Sequence, residues 1–170
     1  CFGRRAFFER EAARRSFEAA LERVRRSCHV CVYGYVVMPE HVHLLLDEPG
    51  RGTLADALKS LKQGVARRLG GKGEHFWQKR YYDFNVFTSA KFVEKLRYIH
   101  RNPVRRGLCV DPEDWEWSSF RHYLTGCEGR VEIESEWTVR HHFSLLVLWH
   151  SEEGDIRSKP EEPRGNPGTH

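Results

Sequence analysis

Two histidines flank one aliphatic residue at His41-Val42-His43, within Met38-Pro39-Glu40-His41-Val42-His43-Leu44-Leu45-Leu46. The apolar run reads as a strand, and side chains alternate faces along a strand, so both imidazoles project to one side while Val42 enters the opposite layer. Two neutral imidazoles side by side can hold one divalent ion. The same tripeptide also arises by coincidence in a chain with ten histidines, so the pattern needs a partner. One is available at Lys91-Phe92-Val93-Glu94-Lys95-Leu96-Arg97-Tyr98-Ile99-His100-Arg101-Asn102-Pro103. Phe92, Val93, Leu96 and Ile99 recur at three- and four-residue steps, which predicts an amphipathic helix from near Ser89. Pro103 disfavours helical dihedrals at Asn102, so the helix is expected to end there. Tyr98 and Asn102 are four apart and share one face of its last turn, pairing a phenol nucleophile with an amide oxygen that could complete a metal's shell. Taken alone, they equally describe a tyrosine at a core edge and an asparagine terminating a helix. His100, two residues from Tyr98, points elsewhere.

Elements able to position these groups follow from periodicity and breakers. Residues 6–27 read as a helix with Phe7, Phe8, Phe17, Ala20, Leu21 and Val24 for burial, and 30–38 and 41–48 as two strands bent at Pro39-Glu40. Pro49-Gly50-Arg51-Gly52 interrupts the chain before a helix from about Thr53, a plausible cap, to Leu69. Gly70-Gly71-Lys72-Gly73 lacks the arrangement of a phosphate cradle and reads as a loop. A strand over 80–87 and the tyrosine helix over 89–102 complete an α+β plan with one antiparallel sheet covered on one side. Trp115 and Trp117 are expected to anchor a following short helix capped by Ser118. Glu40, beside the histidine pair, is expected in a turn facing water, from which it could still orient a ligand.

The 170 residues suffice for one domain with a real core, and 39% hydrophobic residues suits a globular chain. Lys and Arg number 28 against 24 Asp and Glu, a net charge of +4, with a pI near 8.9. The last twenty residues hold three basic and five acidic groups, so the preceding body is +6. That favours an anionic partner, although many basic proteins bind no nucleic acid. Basic residues decorate the first helix from Arg4 to Arg26, where a solvated face accounts for most of them, and the second through Lys59, Lys62, Arg67, Arg68 and Lys72. Arg97, Arg101 and Arg105 follow a four-residue step beside Tyr98, where a phosphate backbone would have to pass. Phe76, Trp77, Tyr81 and Tyr82 lie among Lys79 and Arg80, a composition suited to stacking unpaired bases and, for Trp77, equally to core packing.

Five cysteines without an evident secretory signal fit a reducing compartment better than a disulfide scaffold. Cys28-His29-Val30-Cys31 has redox or zinc spacing, but no second close pair follows, and small apolar side chains between helix and strand are the expected role. No run approaches the roughly twenty apolar residues of a membrane span, so no membrane partner is expected. Residues 151–170 carry the Pro, Gly and charge content of a disordered tail, and residues 126–150 are an unassigned extension.

Four blocks in order, Val36 to Leu46, Phe76-Trp77-Gln78-Lys79-Arg80-Tyr81-Tyr82-Asp83, Tyr98-Ile99-His100-Arg101-Asn102-Pro103-Val104-Arg105-Arg106-Gly107-Leu108 and Trp115-Glu116-Trp117-Ser118-Ser119-Phe120, resemble the single-tyrosine transposases of the His-hydrophobic-His endonuclease class. Within that IS200-like superfamily the nearest group is the transposases associated with repetitive extragenic palindromes. The likeness spans about residues 5–125 and makes 1–125 the expected transposase domain. It implies a ferredoxin-like antiparallel sheet with helices on one face. Members begin with a strand ahead of the first helix, which this sequence enters almost at once, so that strand is expected to be missing and the domain N-terminally truncated. A sheet without it would expose unpaired backbone groups.

The resemblance also implies Mg²⁺ or Mn²⁺ held by His41, His43 and Asn102, with Tyr98 as the nucleophile that forms a 5′-phosphotyrosine on single-stranded or hairpin DNA and then transfers the strand. The Tyr98 phenol, ordinarily titrating near pH 10, would be favoured as phenolate by the ion and by Arg97 and Arg101. Lys79, Arg80, Arg97, Arg101 and Arg105 are the expected DNA contacts, the bacterial cytoplasm and nucleoid the expected location, and a monomer the expected state. Two alternatives stay open: a hairpin-binding remnant without chemistry, and a metal-dependent phosphodiesterase that uses water.

Overall fold

A computed structural model describes residues 5–69, 76–77 and 82–135 and the backbone of 145–149. The first helix, α1 (Glu11–Cys28), buries Phe17, Ala20, Leu21 and Val24, a stripe at three- and four-residue steps. It stops at His29, whose positive φ of 54° lets its N–H reach Arg25 O. Two antiparallel strands follow, β1 (Val32–Val37) and β2 (Val42–Asp47), joined through Pro39-Glu40 by a turn in which Met38 N donates to His41 O at 2.8 Å. Helix α2 (Leu54–Leu69) is opened by Thr53 and Asp56, whose side chains and backbone amides bond reciprocally. Strand β3 (Tyr82–Val86) leads into α3 (Ser89–Arg105), capped by Thr88 Oγ1, which accepts from Lys91 N at 3.2 Å. A 3₁₀ turn (Pro112–Asp114) and the short α4 (Phe120–Thr125) come next. The last strand, β4, is Leu145–Trp149.

The sheet is four-stranded and antiparallel throughout, in the order β1-β2-β4-β3. Strand β4 lies between β2 and β3, the position that a leading strand takes in a ferredoxin-like sheet, and it runs antiparallel to both neighbours. The inner edge of β2, expected to be left unpaired, is paired, because a segment of the unassigned extension fills the slot. Every residue of β1 is buried, which requires cover on both faces. One face carries α1 and α2 over a cluster that includes Phe8, Phe17, Leu21, Tyr35, Leu44, Leu46, Leu61 and Val65. The other carries α3 over Tyr33, Val36, Met38, Leu45, Phe92, Leu96 and Ile99. This corrects the expectation of helices on one side only: β1 and β2 are apolar on both faces, and helices cover each face.

Helix α3 also runs past its expected end at Asn102. Pro103 removes a single backbone donor, and the turn beyond it closes through Arg106 N to Asn102 O at 3.0 Å and Leu108 N to Pro103 O at 2.9 Å, with Gly107 at φ 67°. The outer edge of β1 is covered by residues 117–119: Val37 N donates to Trp117 O and Ser119 N to Tyr35 O, and Trp115 Nε1 donates to Val37 O at 3.2 Å. Arg14 of α1 stacks over Trp117 and Trp115, tying this edge back to the first helix. Ser118 Oγ accepts from Phe120 N at the start of α4, close to its expected capping role.

Candidate functional site

The histidines meet α3 on the face opposite α1 and α2. His43 shares its strand face with Leu45, and Val42 packs on the first cluster, so the alternation anticipated for this strand holds. His41 Nε2 and His43 Nε2 stand 3.1 Å apart with their rings at 82°. The amide end of Asn102 approaches from the last turns of α3, its Nδ2 at 2.9 Å from the same His43 Nε2. All three side chains are buried. Tyr98, one turn earlier on α3 and half-buried, sets its ring edge against His43 at 5.7 Å between centroids and 87°.

This donor set fits a divalent ion. His43 Nε2 offers one hydrogen or one lone pair and has two polar neighbours within 3.1 Å, more than a neutral imidazole can satisfy. Two ligands at right angles and about 2.1 Å from one octahedral ion stand about 3.0 Å apart, close to the observed nitrogen separation. A half-turn of the Asn102 amide exchanges Nδ2 for Oδ1 without changing its shape, presenting a hard oxygen to the same point. The amide oxygen is a hard donor of the kind Mg²⁺ and Mn²⁺ take, the two imidazoles also suit borderline ions such as Zn²⁺ and Fe²⁺, and the set holds no thiolate for a soft metal.

Around this centre the basic residues divide. The Arg105 guanidinium lies 5.3 Å from the Tyr98 ring centroid, a cation on the face of the phenol. Arg97 and Arg101 are exposed on α3. Lys79 and Arg80 lie outside the described residues. Arg106, absent from the four-residue step that singled out its neighbours, pairs with Glu40, and Glu40 Oε1 stands 3.9 Å from His41 Nδ1. Glu40 is thus half-buried between the arginine that follows α3 and the rear nitrogen of a site histidine, rather than facing water. Its motif position beside His41 was the one signal available; Arg106 became legible only once α3 was seen to reach it.

His100 points away from the site, as its spacing from Tyr98 requires. It is buried, and its Nε2 lies 2.8 Å from Ser119 Oγ, which also bonds Tyr35 of β1. Burial drops its imidazole to about 4, so it is neutral at pH 7. It fastens α3 to the segment that covers β1. The first two rings of the aromatic block belong to the core: Phe76 stacks on Phe7 at 4.3 Å, and Trp77 packs on Phe8 and donates from Nε1 to Lys62 O at 2.8 Å. These two rings are therefore not free to stack on bases; the side chains of Tyr81 and Tyr82 lie outside the described residues. At the Cys28–Cys31 pair, burial and the nearby Asp47 push the Cys31 thiol up to about 12, which disfavours the thiolate that zinc or redox chemistry needs. Among the described residues, no helix is long and apolar enough to cross a membrane.

The antiparallel sheet flanked by helices thus brings His43 of a central strand, and His41 just ahead of it, against Tyr98 and Asn102 of the last long helix. Residues 1–102, more than half of the chain, match the family described as Transposase IS200 like, and the chain belongs to that family. The REP-associated tyrosine transposase of Escherichia coli K12 is 26% identical over 102 residues, covering 59% of this chain and 61% of that protein. A relative from Haemophilus influenzae is 28% identical over 97 residues, covering 49% and 55% respectively. The chain thus spans less than two thirds of the curated relatives it matches. A solved structure of a REP-associated tyrosine transposase bound to a REP hairpin superposes with a TM-score of 0.59 at 20% identity, over 86% of this chain and 79% of that one, a likeness of fold.

Proposed function

We propose that this chain cleaves and rejoins single-stranded DNA at hairpin or palindromic element ends, with Tyr98 as the nucleophile. The observation that carries the reading is the convergence of His41 Nε2, at 3.1 Å, and Asn102 Nδ2, at 2.9 Å, on His43 Nε2, beside the Tyr98 ring. These three residues would hold Mg²⁺ or Mn²⁺, which when bound supplies Lewis-acid polarisation of the scissile phosphate and charge neutralisation. Glu40 orients His41 from behind, and Arg106 holds Glu40 in place. Arg105 keeps a positive charge over the Tyr98 ring, placed to attract the anionic phosphate that the tyrosine attacks.

The Tyr98 oxygen forms a bond to phosphorus as the bond to the 3′ oxygen breaks; the phenol proton passes to solvent and the leaving oxygen takes one up as a 3′-hydroxyl. The product is a 5′-phosphotyrosine. Attack on it by the 3′-hydroxyl of another strand reverses the step and regenerates Tyr98, joining DNA without ATP because the phosphodiester energy is conserved. The family membership and the hairpin-bound fold relative support a DNA hairpin as partner.

The test is incubation of the protein with Mn²⁺ and labelled single-stranded hairpin DNA, followed by denaturing electrophoresis. Label should migrate with the wild type and be absent from Tyr98→Phe. Label missing from the wild type, or unchanged in Tyr98→Phe, overturns the proposal. Hairpin binding without label would leave a binding module, and cleavage insensitive to Tyr98→Phe would assign water as nucleophile.

A further inference from the structure

On the face of the sheet away from Tyr98, α1 and α2 enclose an open cleft of about 320 Å³ lined by Arg23, Ser60, Gln63, Gly64, Arg67 and Arg68. It arises from two adjoining stripes of α2. Ala57, Leu58, Leu61 and Val65 are buried against the core, and the neighbouring stripe, Ser60, Gln63, Gly64, Arg67 and Arg68, turns toward α1. Arg23 reaches across from α1 and lies directly over Gly64, where an added Cβ would collide with its Nη2. Glycine inside a helix costs roughly 1 kcal/mol relative to alanine, and here the missing side chain is the space the guanidinium occupies.

Three guanidinium groups thus share one cleft with a hydroxyl and a carboxamide, and among the described residues none of the three is ion-paired. The nearest carboxylate on α1, Glu22, is committed to Arg25 and Arg26. Like charges gathered without acidic partners repel one another, an arrangement that an anion relieves. Arginine forks match phosphate oxygens in pairs, and Ser60 and Gln63 add hydrogen-bond donors.

We infer that the α1–α2 cleft is a docking site for the phosphodiester backbone of DNA, distinct from the Tyr98 centre and on the opposite face of the sheet. The inference rests on the DNA reading above and adds where the uncleaved part of the DNA is gripped. Residues 60–68 extend about 12 Å along α2, the axial rise of three to four phosphates on one strand, so the cleft suits a polymer backbone better than one isolated phosphate. DNA held here and cleaved at Tyr98 must pass around an edge of the sheet, which separates holding from cutting.

The experiment compares the full chain with Arg23→Gln/Arg67→Gln/Arg68→Gln by fluorescence anisotropy on a labelled DNA hairpin from 50 to 200 mM NaCl, with thermal melts confirming that both fold. If the cleft contacts about two phosphates, the logarithmic salt slope of the variant is shallower by about 1.8. Over that fourfold salt range, the wild type then loses about twelvefold more affinity than the variant. The triple lysine variant, which keeps the charges but loses the forks, recovers the slope. Equal slopes in wild type and glutamine variant, or failure of lysine to recover the slope, would overturn the inference while leaving the Tyr98 reading intact, because Tyr98 labelling on a short single strand is scored separately. Loss of inorganic phosphate binding alone, with hairpin affinity unchanged, would also overturn it. A wild type that bound no hairpin would sink both readings.

Discussion

Replacing Gly34 by alanine tests whether the close approach of α3 to β1 is what keeps Tyr98 and Asn102 against the histidines. A Cβ at this position would lie 2.6 Å from Leu96 Cδ1, 3.5 Å from Ser119 Oγ and 3.8 Å from Leu45 Cβ. Non-bonded carbons rest roughly 3.5–4.0 Å apart, so Leu96 must retreat by about 1 Å. It is buried in the same cluster as Phe92 and Ile99, and its retreat shifts α3 rather than one free methyl group. Overpacking of this kind costs about 1–3 kcal/mol, a fall in Tm of roughly 3–12 °C for a domain of this size. Tyr98 lies half a turn beyond Leu96, and a displacement near 1 Å at a reacting group costs on the order of 100-fold in rate. Circular-dichroism melts and the rate of covalent DNA labelling are the two readouts. Leu96→Ala alone should destabilise by about 2–5 kcal/mol, but combined with Gly34→Ala it removes the clash, so the double variant should be at least about 1 kcal/mol more stable than the sum of the singles. A Gly34→Ala protein that melts and labels like wild type, or strictly additive singles, would refute the reasoning.

Mn²⁺ at ten times its Kd should stabilise the wild type by about 1.4 kcal/mol. Thermal shift should show that rise lost in Asn102→Ala and His43→Gln, and an equal rise in all three proteins would remove these residues as ligands. His100 makes stability depend on pH. Its imidazole is harder to protonate folded, at about 4, than unfolded, at 6.5, so its contribution is complete above pH 6.5 and is lost as pH falls through 4. The loss amounts to about 3 kcal/mol; Glu18, which burial pushes up, works in the opposite sense but is common to both proteins. Urea titrations should therefore show a steeper decline from pH 6.5 to 4 in wild type than in His100→Gln, and parallel curves would exclude the histidine as the cause. Ending the chain after Ser135 removes β4, which registers with five residues each of β2 and β3. At roughly 0.5–1.5 kcal/mol for each of about ten backbone bonds, that is comparable to the whole stability of a domain. Hydrogen exchange should show β3 amides exchanging freely in the shortened chain, and retained protection would exclude β4 as their partner.

The site was legible because its determinants are local. A two-residue step on a strand and a four-residue step on a helix each put chemistry on one face, and the structure brings His41, His43, Tyr98 and Asn102 to the same point. What escaped the sequence was set by tertiary pairing. The helix continues past Pro103 because bonds from Arg106 and Leu108 close the turn beyond it, and only that continuation brings Arg106 to Glu40. Local composition left Trp77 equally suited to bases and to the core, and what decides is its packing on Phe8, some seventy residues earlier. Strand β4 could not be assigned from its own apolar run, since its place depends on a vacancy between two strands distant in sequence.

Register is where fold and site meet. Leu44, Leu45 and Leu46 are buried on alternating faces of β2, so a one-residue slip would exchange leucine for leucine in both clusters and cost little in apolar burial. The same slip would turn His43 away from α3. Hydrophobic patterning therefore cannot hold the histidines in place; polar ties at both ends of the β1–β2 hairpin do. At one end Met38 N donates to His41 O at 2.8 Å, and at the other Cys31 N donates to Asp47 Oδ1 at 2.7 Å while Asp47 N donates to Cys31 O at 3.2 Å. Along the inner edge, β4 pairs His43 with Trp149 and Asp47 with Leu145, fixing the same register from the other side. The expectation of an unpaired sheet edge placed the weakness of this fold beside the histidine strand, and it is there that the pairing proves to be doubled.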